Sequence, residues 1–220
     1  MKKITLSLLA AIAFGFTANA QTPDVKIGAK AGVNFANLSN AENNNNKTGF
    51  NVGAVVEVFI NEKFSIQPEL LYSTQGTKIK FSEEFLPGRS VNVKSTLKLD
   101  YINVPIMGKY YVADGFNVQF GPQIGFLTTA KHELDNISIS GNIAGIDLND
   151  LKGEFEEGDI KDMVNKVDFG LNFGLGYEHT SGVFADVRYN LGLTSIDKKI
   201  DGEQDKIKNG VFQISVGFKF

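Results

Sequence analysis

The sequence contains no cysteine and no tryptophan. Without cysteine there can be no disulfide, so stability has to come from strand pairing even in an oxidising compartment. Outside residues 4–16, no run approaches the roughly 18 apolar residues that a membrane-spanning helix needs. An excess of positive charge is also missing, because 22 Lys and Arg stand against 25 Asp and Glu. This balance argues against nucleic acid as a partner.

The N-terminus has the pattern of a cleavable signal peptide. Met1-Lys2-Lys3 is a short positive region, residues 4–16 are apolar, and Ala18-Asn19-Ala20 is a small-x-small cleavage site. We therefore predict a signal peptide over residues 1–20 and one mature domain over residues 21–220. A signal peptide alone also suits a soluble periplasmic or secreted protein, so the choice depends on the remaining sequence.

The last ten residues indicate a membrane rather than a soluble environment. Their apolar side chains alternate with small or polar ones, as on the two faces of a strand. Ten tilted residues suffice to cross a bilayer as a β-strand, and lipid can cover an otherwise exposed phenylalanine face. One face carries Phe212, Ile214, Val216, Phe218 and Phe220, and the other carries Val211, Gln213, Ser215, Gly217 and Lys219.

The same period of two, bounded by turn signals, recurs in eight segments. The sixth segment alternates at every position. In the fourth segment the apolar residues Leu99 and Tyr101 lie on one face of the strand and Ile102 lies on the other, so the apolar pattern changes face near Tyr101. A bulge near Tyr101 or apolar contacts on both faces would explain the change. The predicted segments are 25–38, 48–60, 64–74, 97–112, 116–128, 166–179, 182–195 and 209–220.

The connections between these segments alternate between long and short. This regularity predicts an all-β fold, an eight-stranded antiparallel up-and-down transmembrane β-barrel with short periplasmic turns and long extracellular loops. A soluble lipocalin-like barrel would need an apolar interior, whereas the second face here is mostly polar. The short turns are Asn61–Lys63, Ala113–Gly115 and Thr180–Ser181.

Aromatic residues are concentrated at the ends of the predicted strands, as expected for girdles at two membrane interfaces. A general preference of aromatics for strands explains their number but not this clustering. Phe64, Phe116, Tyr177 and Phe220 fall at the short-turn end, and Phe35, Phe50, Tyr72, Phe126, Phe169 and Phe212 fall at the long-loop end.

Short motifs along nearly the whole mature chain resemble one family. They include Gly28–Phe35, Ile66–Ser73, Leu99–Ile106, Phe120–Gly125 and Arg188–Gly192. In their order and spacing these stretches resemble the small outer-membrane β-barrel proteins of Gram-negative bacteria, grouped as the porin family or outer membrane protein beta-barrel domain. The resemblance implies fold and outer-membrane location, and it implies little about biochemical activity.

Inward-facing charges are the main candidate site. Because an eight-stranded barrel is only wide enough to be filled by side chains, and buried charges need partners, we predict a structural ion-pair network. A proton or ion path is the alternative interpretation. The predicted residues are Lys30, Glu57, Glu69, Lys109, Asp186 and Arg188.

Other chemistry has weaker support. His132 with Glu133 and either Ser138 or Ser140 could form an outer-rim catalytic group, as in a lipid-modifying hydrolase. The acidic segment 147–162 lacks the residue order of a calcium loop. We therefore expect no enzyme, no cofactor and no metal site.

The expected function is that of a small outer-membrane barrel with a filled lumen, acting structurally or through its long extracellular loops. The alternatives are a narrow ion or small-solute channel and, last, an outer-leaflet lipid-modifying enzyme. Expected partners are outer-membrane lipid, the barrel-assembly machinery, which we expect to engage the terminal strand with Phe212, Phe218 and Phe220, and an extracellular or adhesion ligand. We expect a monomer.

Overall fold

A computed structural model describes residues 24–39, 44–86, 89–140, 158–198 and 207–220. The predicted signal peptide and its cleavage site at Ala20 lie outside these residues, as do residues 147–157 of the acidic segment 147–162. In the described part of the chain, no helix is both long enough and apolar enough to cross a membrane.

Eight strands form a closed antiparallel ring, and a two-residue strand is added to one of them. Around the ring the order is β4-β3-β2-β1-β9-β8-β7-β5, and β5 pairs back with β4. The eight-stranded up-and-down barrel predicted from the sequence is therefore confirmed. The strands are β1 Val25–Ser39, β2 Asn44–Asn61, β3 Phe64–Leu86, β4 Arg89–Tyr111, β5 Phe116–Ser140, the short β6 Gly158–Asp159, β7 Val167–Glu178, β8 Val183–Gly192 and β9 Lys208–Lys219.

Short turns join the strands at one rim. The first is built around Asn61, whose side-chain oxygen accepts hydrogen bonds from the backbone N–H groups of Lys63 and Phe64, both at 2.9 Å. The other two use Gly115 and Gly182 at φ values of 76° and 89°. Such values favour glycine because a Cβ would clash with the backbone. The first and last strands of the ring, β1 and β9, meet at this rim, where the Ile27 N–H donates to the Phe220 carbonyl.

The outer surface of the barrel carries an apolar band. In β1 the outward side chains are apolar from Val25 to Phe35 and become polar at Asn37. In β2 they are apolar from Phe50 to Ile60 and polar at Thr48. Each apolar stretch covers eleven residues, which is the length that a tilted strand needs to cross the hydrocarbon core. The change from apolar to polar therefore marks the membrane interface at the long-loop rim.

β3, β4 and β5 are longer by at least seven residues than the sequence analysis predicted, and β2 begins at Asn44 and not at residue 48. The segment 75–96, expected to be a long loop, instead continues β3 and β4 as a paired hairpin, with Ile79 opposite Ser95 and Phe81 opposite Val93. β5 likewise continues to Ser140. The prediction was wrong here because it equated strand length with membrane thickness. Strand pairing can continue into water wherever residues alternate, as they do in Lys78-Ile79-Lys80-Phe81.

The irregularity at Tyr101 has a clear origin. Leu99 and Tyr101 point inward on the same side as Asn103 to Lys109 and are almost completely buried. The extra residue lies in the neighbouring strand, because Asp100 pairs with Thr129 whereas Tyr101 pairs with Leu127. Of the two explanations, apolar contact on both faces holds for β4, and the bulge belongs to β5.

Candidate functional site

The lumen near the short-turn rim is filled by two clusters of charged side chains. The upper cluster is centred on Arg188 of β8. Its guanidinium donates to both carboxylate oxygens of Glu69, at 2.8 and 2.7 Å, and its Nε donates to Gln119 Oε1 at 2.8 Å. This two-pronged geometry is the strong form of an Arg–carboxylate pair.

Arg188 and Glu69 reach each other across the barrel. β8 and β3 are four strands apart in either direction around the ring, so they form opposite walls. Arg188 is 2% exposed and Glu69 is 3% exposed. The bidentate ion pair is therefore buried and joins opposite walls across the lumen.

Lys30 and Asp186 complete the upper cluster. Lys30 Nζ donates to Asp186 Oδ2 at 2.9 Å and lies 3.7 Å from Glu69 Oε2. Asp186 Oδ2 is also 3.3 Å from the Arg188 guanidinium. Two cations and two anions therefore balance each other, which offsets the cost of burying them.

The lower cluster lies nearer the rim and is centred on Glu57 of β2. Lys109 Nζ lies 2.8 Å from Glu57 Oε1, and the Tyr111 hydroxyl is 2.7 Å from the same oxygen. Lys219, the penultimate residue, donates to both Glu57 and Glu178. This cluster joins strands from four parts of the ring.

Gln67 connects the two clusters. Its amide nitrogen donates to Glu69 Oε1 at 2.6 Å, whereas its amide oxygen accepts from Lys109 at 3.2 Å and from Lys219 at 3.4 Å. One neutral side chain therefore meets an anion above and two cations below. The hydrogen bonds run continuously from the upper cluster to the rim.

The structure places all six predicted residues in the lumen, and Lys109, whose parity the sequence left open, is among them. Lys219 and Glu178 were missed as members of the network. Both carry the inward parity of their strands. That parity was the signal that could have identified them.

Toward the long-loop rim the lumen also contains an apolar cluster, which the sequence did not predict, beside buried inward polar side chains such as Gln75 and Thr77. Tyr101 packs there with other side chains from several strands, and beneath them Asp168 accepts hydrogen bonds from Asn209 at 2.8 Å and Thr194 at 2.5 Å. The cluster consists of Leu38, Leu99, Tyr101, Leu127, Ala130, Val164 and Ile196.

The residues of the hypothetical catalytic group are not brought together. His132 lies on β5 in the extended part of the sheet, and Glu133 forms an ion pair with Lys98 at 2.5 Å. Ser138 is six residues farther along the same strand, which is about 20 Å at about 3.3 Å per residue. Among the described residues no cluster of acidic, histidine or cysteine side chains is arranged to hold a metal ion.

The C-terminal strand lines the outside of the barrel as well as closing it. Phe212, Phe218 and Phe220 are all exposed on the outer surface, whereas Gln213, Ser215 and Lys219 point inward. Phe212 packs at a centroid distance of 6.4 Å against Phe35 across the seam between β9 and β1. The outward phenylalanines thus belong to the apolar band.

A family model described as outer membrane protein beta-barrel domain matches residues 19–198. The chain belongs to this family. The outer membrane protein beta-barrel domain family is by its description one of outer-membrane proteins, in agreement with the apolar band on this barrel. No curated protein matches the chain in sequence.

Solved structures of other small barrels are similar to this one. Neisserial surface protein A is 13% identical, with a TM-score of 0.46, over 88% of this chain and 97% of its own. Ail, the attachment invasion locus protein of Yersinia pestis, is 13% identical, with a TM-score of 0.42, over 90% and 99%. The outer membrane protein OprG from Pseudomonas aeruginosa is 12% identical, with a TM-score of 0.40, over 91% and 97%.

Proposed function

We propose that this protein is a non-conducting outer-membrane barrel that anchors a surface-exposed β-sheet for interaction with partners outside the cell. The bidentate contact between Arg188 and Glu69 across the lumen is the observation that carries the first half of this proposal. Ions could pass only if this pair, and Gln67 below it, moved aside. Removing either partner from a buried pair leaves an unpaired charge, so such an opening is costly.

The extension of β3, β4 and β5 supports the second half. The outward apolar side chains of β3 end at Tyr72, whereas the strand continues to Leu86. Fourteen residues, or roughly 46 Å of strand at about 3.3 Å per residue, therefore lie beyond the band. Exposed charged side chains replace the outward apolar ones there, among them Lys78 and Lys80. Such a rigid, solvated sheet suits the presentation of a binding surface.

We further propose that the chain has no catalytic role, because His132 and the nearby serines lie too far apart along β5 to act together. In this proposal the long loops face outside, the short turns face the periplasm, and residues 1–20 are removed on export. Lipid and the barrel-assembly machinery are then the partners of the barrel itself.

Planar bilayer recording tests the closed lumen. Wild-type protein is expected to give no reproducible current steps, whereas the double variant Arg188→Ala with Glu69→Ala, which removes the contact between opposite walls, is expected to conduct. Stable wild-type steps of nanosiemens size would refute the proposal and favour the narrow channel. A silent double variant would show that the lumen is closed by groups other than this pair.

Cysteine labelling tests whether the extended sheet lies outside the cell. Because the chain has no native cysteine, only the introduced cysteine can react. A membrane-impermeant maleimide applied to intact cells is expected to label Glu83→Cys in the extension and to spare Glu62→Cys in a short turn. Both variants should react after the membrane is broken. Labelling of Glu62→Cys alone on intact cells would reverse the topology and remove the binding surface from outside.

A further inference from the structure

A gap in the outer wall lies on the side of the barrel opposite the displayed sheet. Most strand glycines point into the lumen, but Gly210 of β9 points outward, directly beyond Phe212 where the apolar band ends. A Cβ built on Gly210 would lie 2.9 Å from the Tyr189 hydroxyl, which leans over it. Because Gly210 has no side chain, the Tyr189 hydroxyl lies against the β9 backbone, and an open space remains between these residues and Phe35 at the depth of the membrane interface.

This gap is part of a groove with a volume of about 440 Å³. Its lower walls are the rings of Phe35, Phe212 and Tyr189, which belong to the lipid-facing band. Its upper end is lined by Ser39 and Asn46, which lie above the band. Apolar walls on the bilayer side and hydroxyl and amide groups on the water side match the two ends of a lipid molecule.

Lys208 lies beside the upper end of the groove, next to its lining residue Ser39. It has the same outward parity as Gly210, two residues farther from the membrane, and it pairs with Ser39 across the seam. It forms no ion pair with any described residue. An ammonium group just outside the hydrocarbon boundary attracts anionic lipid headgroups.

The extended hairpin of β3 and β4 cannot cover the groove. β9 is four strands from β4 in either direction around the ring, so the groove and the extended hairpin occupy opposite walls. The apolar walls lie on the lipid-facing side of the barrel, where the bilayer supplies the surrounding molecules. An amphiphile that stands in the membrane can therefore enter the groove from the side.

We propose that this groove binds one phosphorylated membrane lipid, with an acyl chain between Phe35, Phe212 and Tyr189 and the phosphate on Lys208. Gly210 lets Tyr189 form one wall of the groove, and Lys208 selects the headgroup. The site acts independently of the lumen, so the barrel can be closed to ions and still hold a specific lipid.

Because the chain lacks tryptophan, a single introduced tryptophan reports lipid contacts by quenching. Phe35→Trp places the reporter in the groove, and Phe126→Trp places one at the same rim on β5, four strands away. Each variant is reconstituted in phosphatidylcholine vesicles containing a minor fraction of either dibrominated phosphatidic acid or dibrominated phosphatidylcholine. The proposal predicts that quenching at the Phe35→Trp reporter shows about fivefold enrichment of phosphatidic acid, the factor that one lysine near an anionic headgroup supplies, and that Phe126→Trp shows none.

Two further substitutions in the Phe35→Trp background separate the parts of the site. Lys208→Gln should remove the preference for phosphatidic acid, and Gly210→Leu should remove it as well by filling the groove. Gly108→Leu is the matched control, because Gly108 also points outward, at the opposite rim, where a Cβ meets only ordinary contacts. Heat-dependent gel migration verifies that each variant is folded.

Equal quenching by the two lipids at Phe35→Trp would overturn the proposal. A preference that persists in folded Gly210→Leu would also overturn it, because the charge of Lys208 would then act at the open surface without a groove. If Gly210→Leu does not fold, Lys208→Gln still decides the headgroup contact. Inorganic phosphate added to the vesicles should leave the quenching unchanged, since the ligand is a lipid and not a free anion.

Discussion

Replacing Arg188 by alanine is expected to destabilise the barrel strongly. The change removes three short hydrogen bonds, two to Glu69 and one to Gln119. Glu69 would keep only Gln67 at 2.6 Å and Lys30 at 3.7 Å. Two buried carboxylates, Glu69 and Asp186, would then share a single lysine.

Breaking a buried ion pair from one side costs roughly 3–5 kcal/mol because the remaining charge stays buried without a partner. Guanidinium unfolding in detergent micelles, followed by far-ultraviolet circular dichroism, measures the loss. With a slope of about 3 kcal/mol per molar guanidinium, the unfolding midpoint should fall by roughly 1 to 1.7 M. A second substitution, Glu69→Gln or Asp186→Asn, removes the excess negative charge and should recover part of the loss.

Lys63→Ala in a short turn is the control, since it removes a cation from an exposed position and should leave the midpoint nearly unchanged. If Arg188→Ala unfolds at the wild-type midpoint, the lumen is hydrated at this level and the reasoning fails. If it is destabilised but neither second substitution restores any stability, the loss comes from packing and not from uncompensated charge.

Three further outcomes are expected. Lys219→Met should lower the free energy of unfolding by roughly 3 kcal/mol, because it leaves Glu57 and Glu178 with fewer cations, whereas Lys26→Met, at the half-exposed rim, should cost less than about 1 kcal/mol in the same assay. Gly121→Ala should prevent or delay refolding on a cold detergent gel, since its Cβ would lie 1.9 Å from a carbonyl oxygen. Gly158→Ala, with open space around it, should refold normally. Added protease on intact cells should cut between Thr129 and Asn165 if it cuts at all, and cleavage restricted to the short turns would contradict the orientation.

The ring of strands could be predicted because two independent patterns agree. Alternating side chains identify strands, and alternating connection lengths imply neighbours that run up and down. The lengths of β3, β4 and β5 could not be predicted from membrane thickness, since thickness limits only the apolar band. The residues Ile79 and Phe81 between lysines carried the missing signal, which is alternation in a segment too polar for lipid.

The candidate site was predictable as a set of residues but not as a set of contacts. Parity alone shows that Glu69 and Arg188 point inward. Their meeting depends on the stagger of the strands around the ring, because residues 119 apart in sequence must reach the same depth on opposite walls. Side-chain alternation contains no information on stagger. For the same reason the groove at Gly210, which needs four strands in register, could not be seen in the sequence.

The position of Lys219 has a consequence for how the barrel forms. Its ammonium contacts Glu57 on β2 on one side of the seam and Glu178 on β7 on the other. Until β9 pairs with β1, an open sheet keeps Lys219 away from Glu57, and that carboxylate loses one of its two lysines. The last strand therefore neutralises the interior at the moment it closes the ring. Closure and charge compensation therefore coincide, so a sheet in which β9 has not yet paired with β1 is disfavoured by an undercompensated carboxylate as well as by its unpaired strand edges.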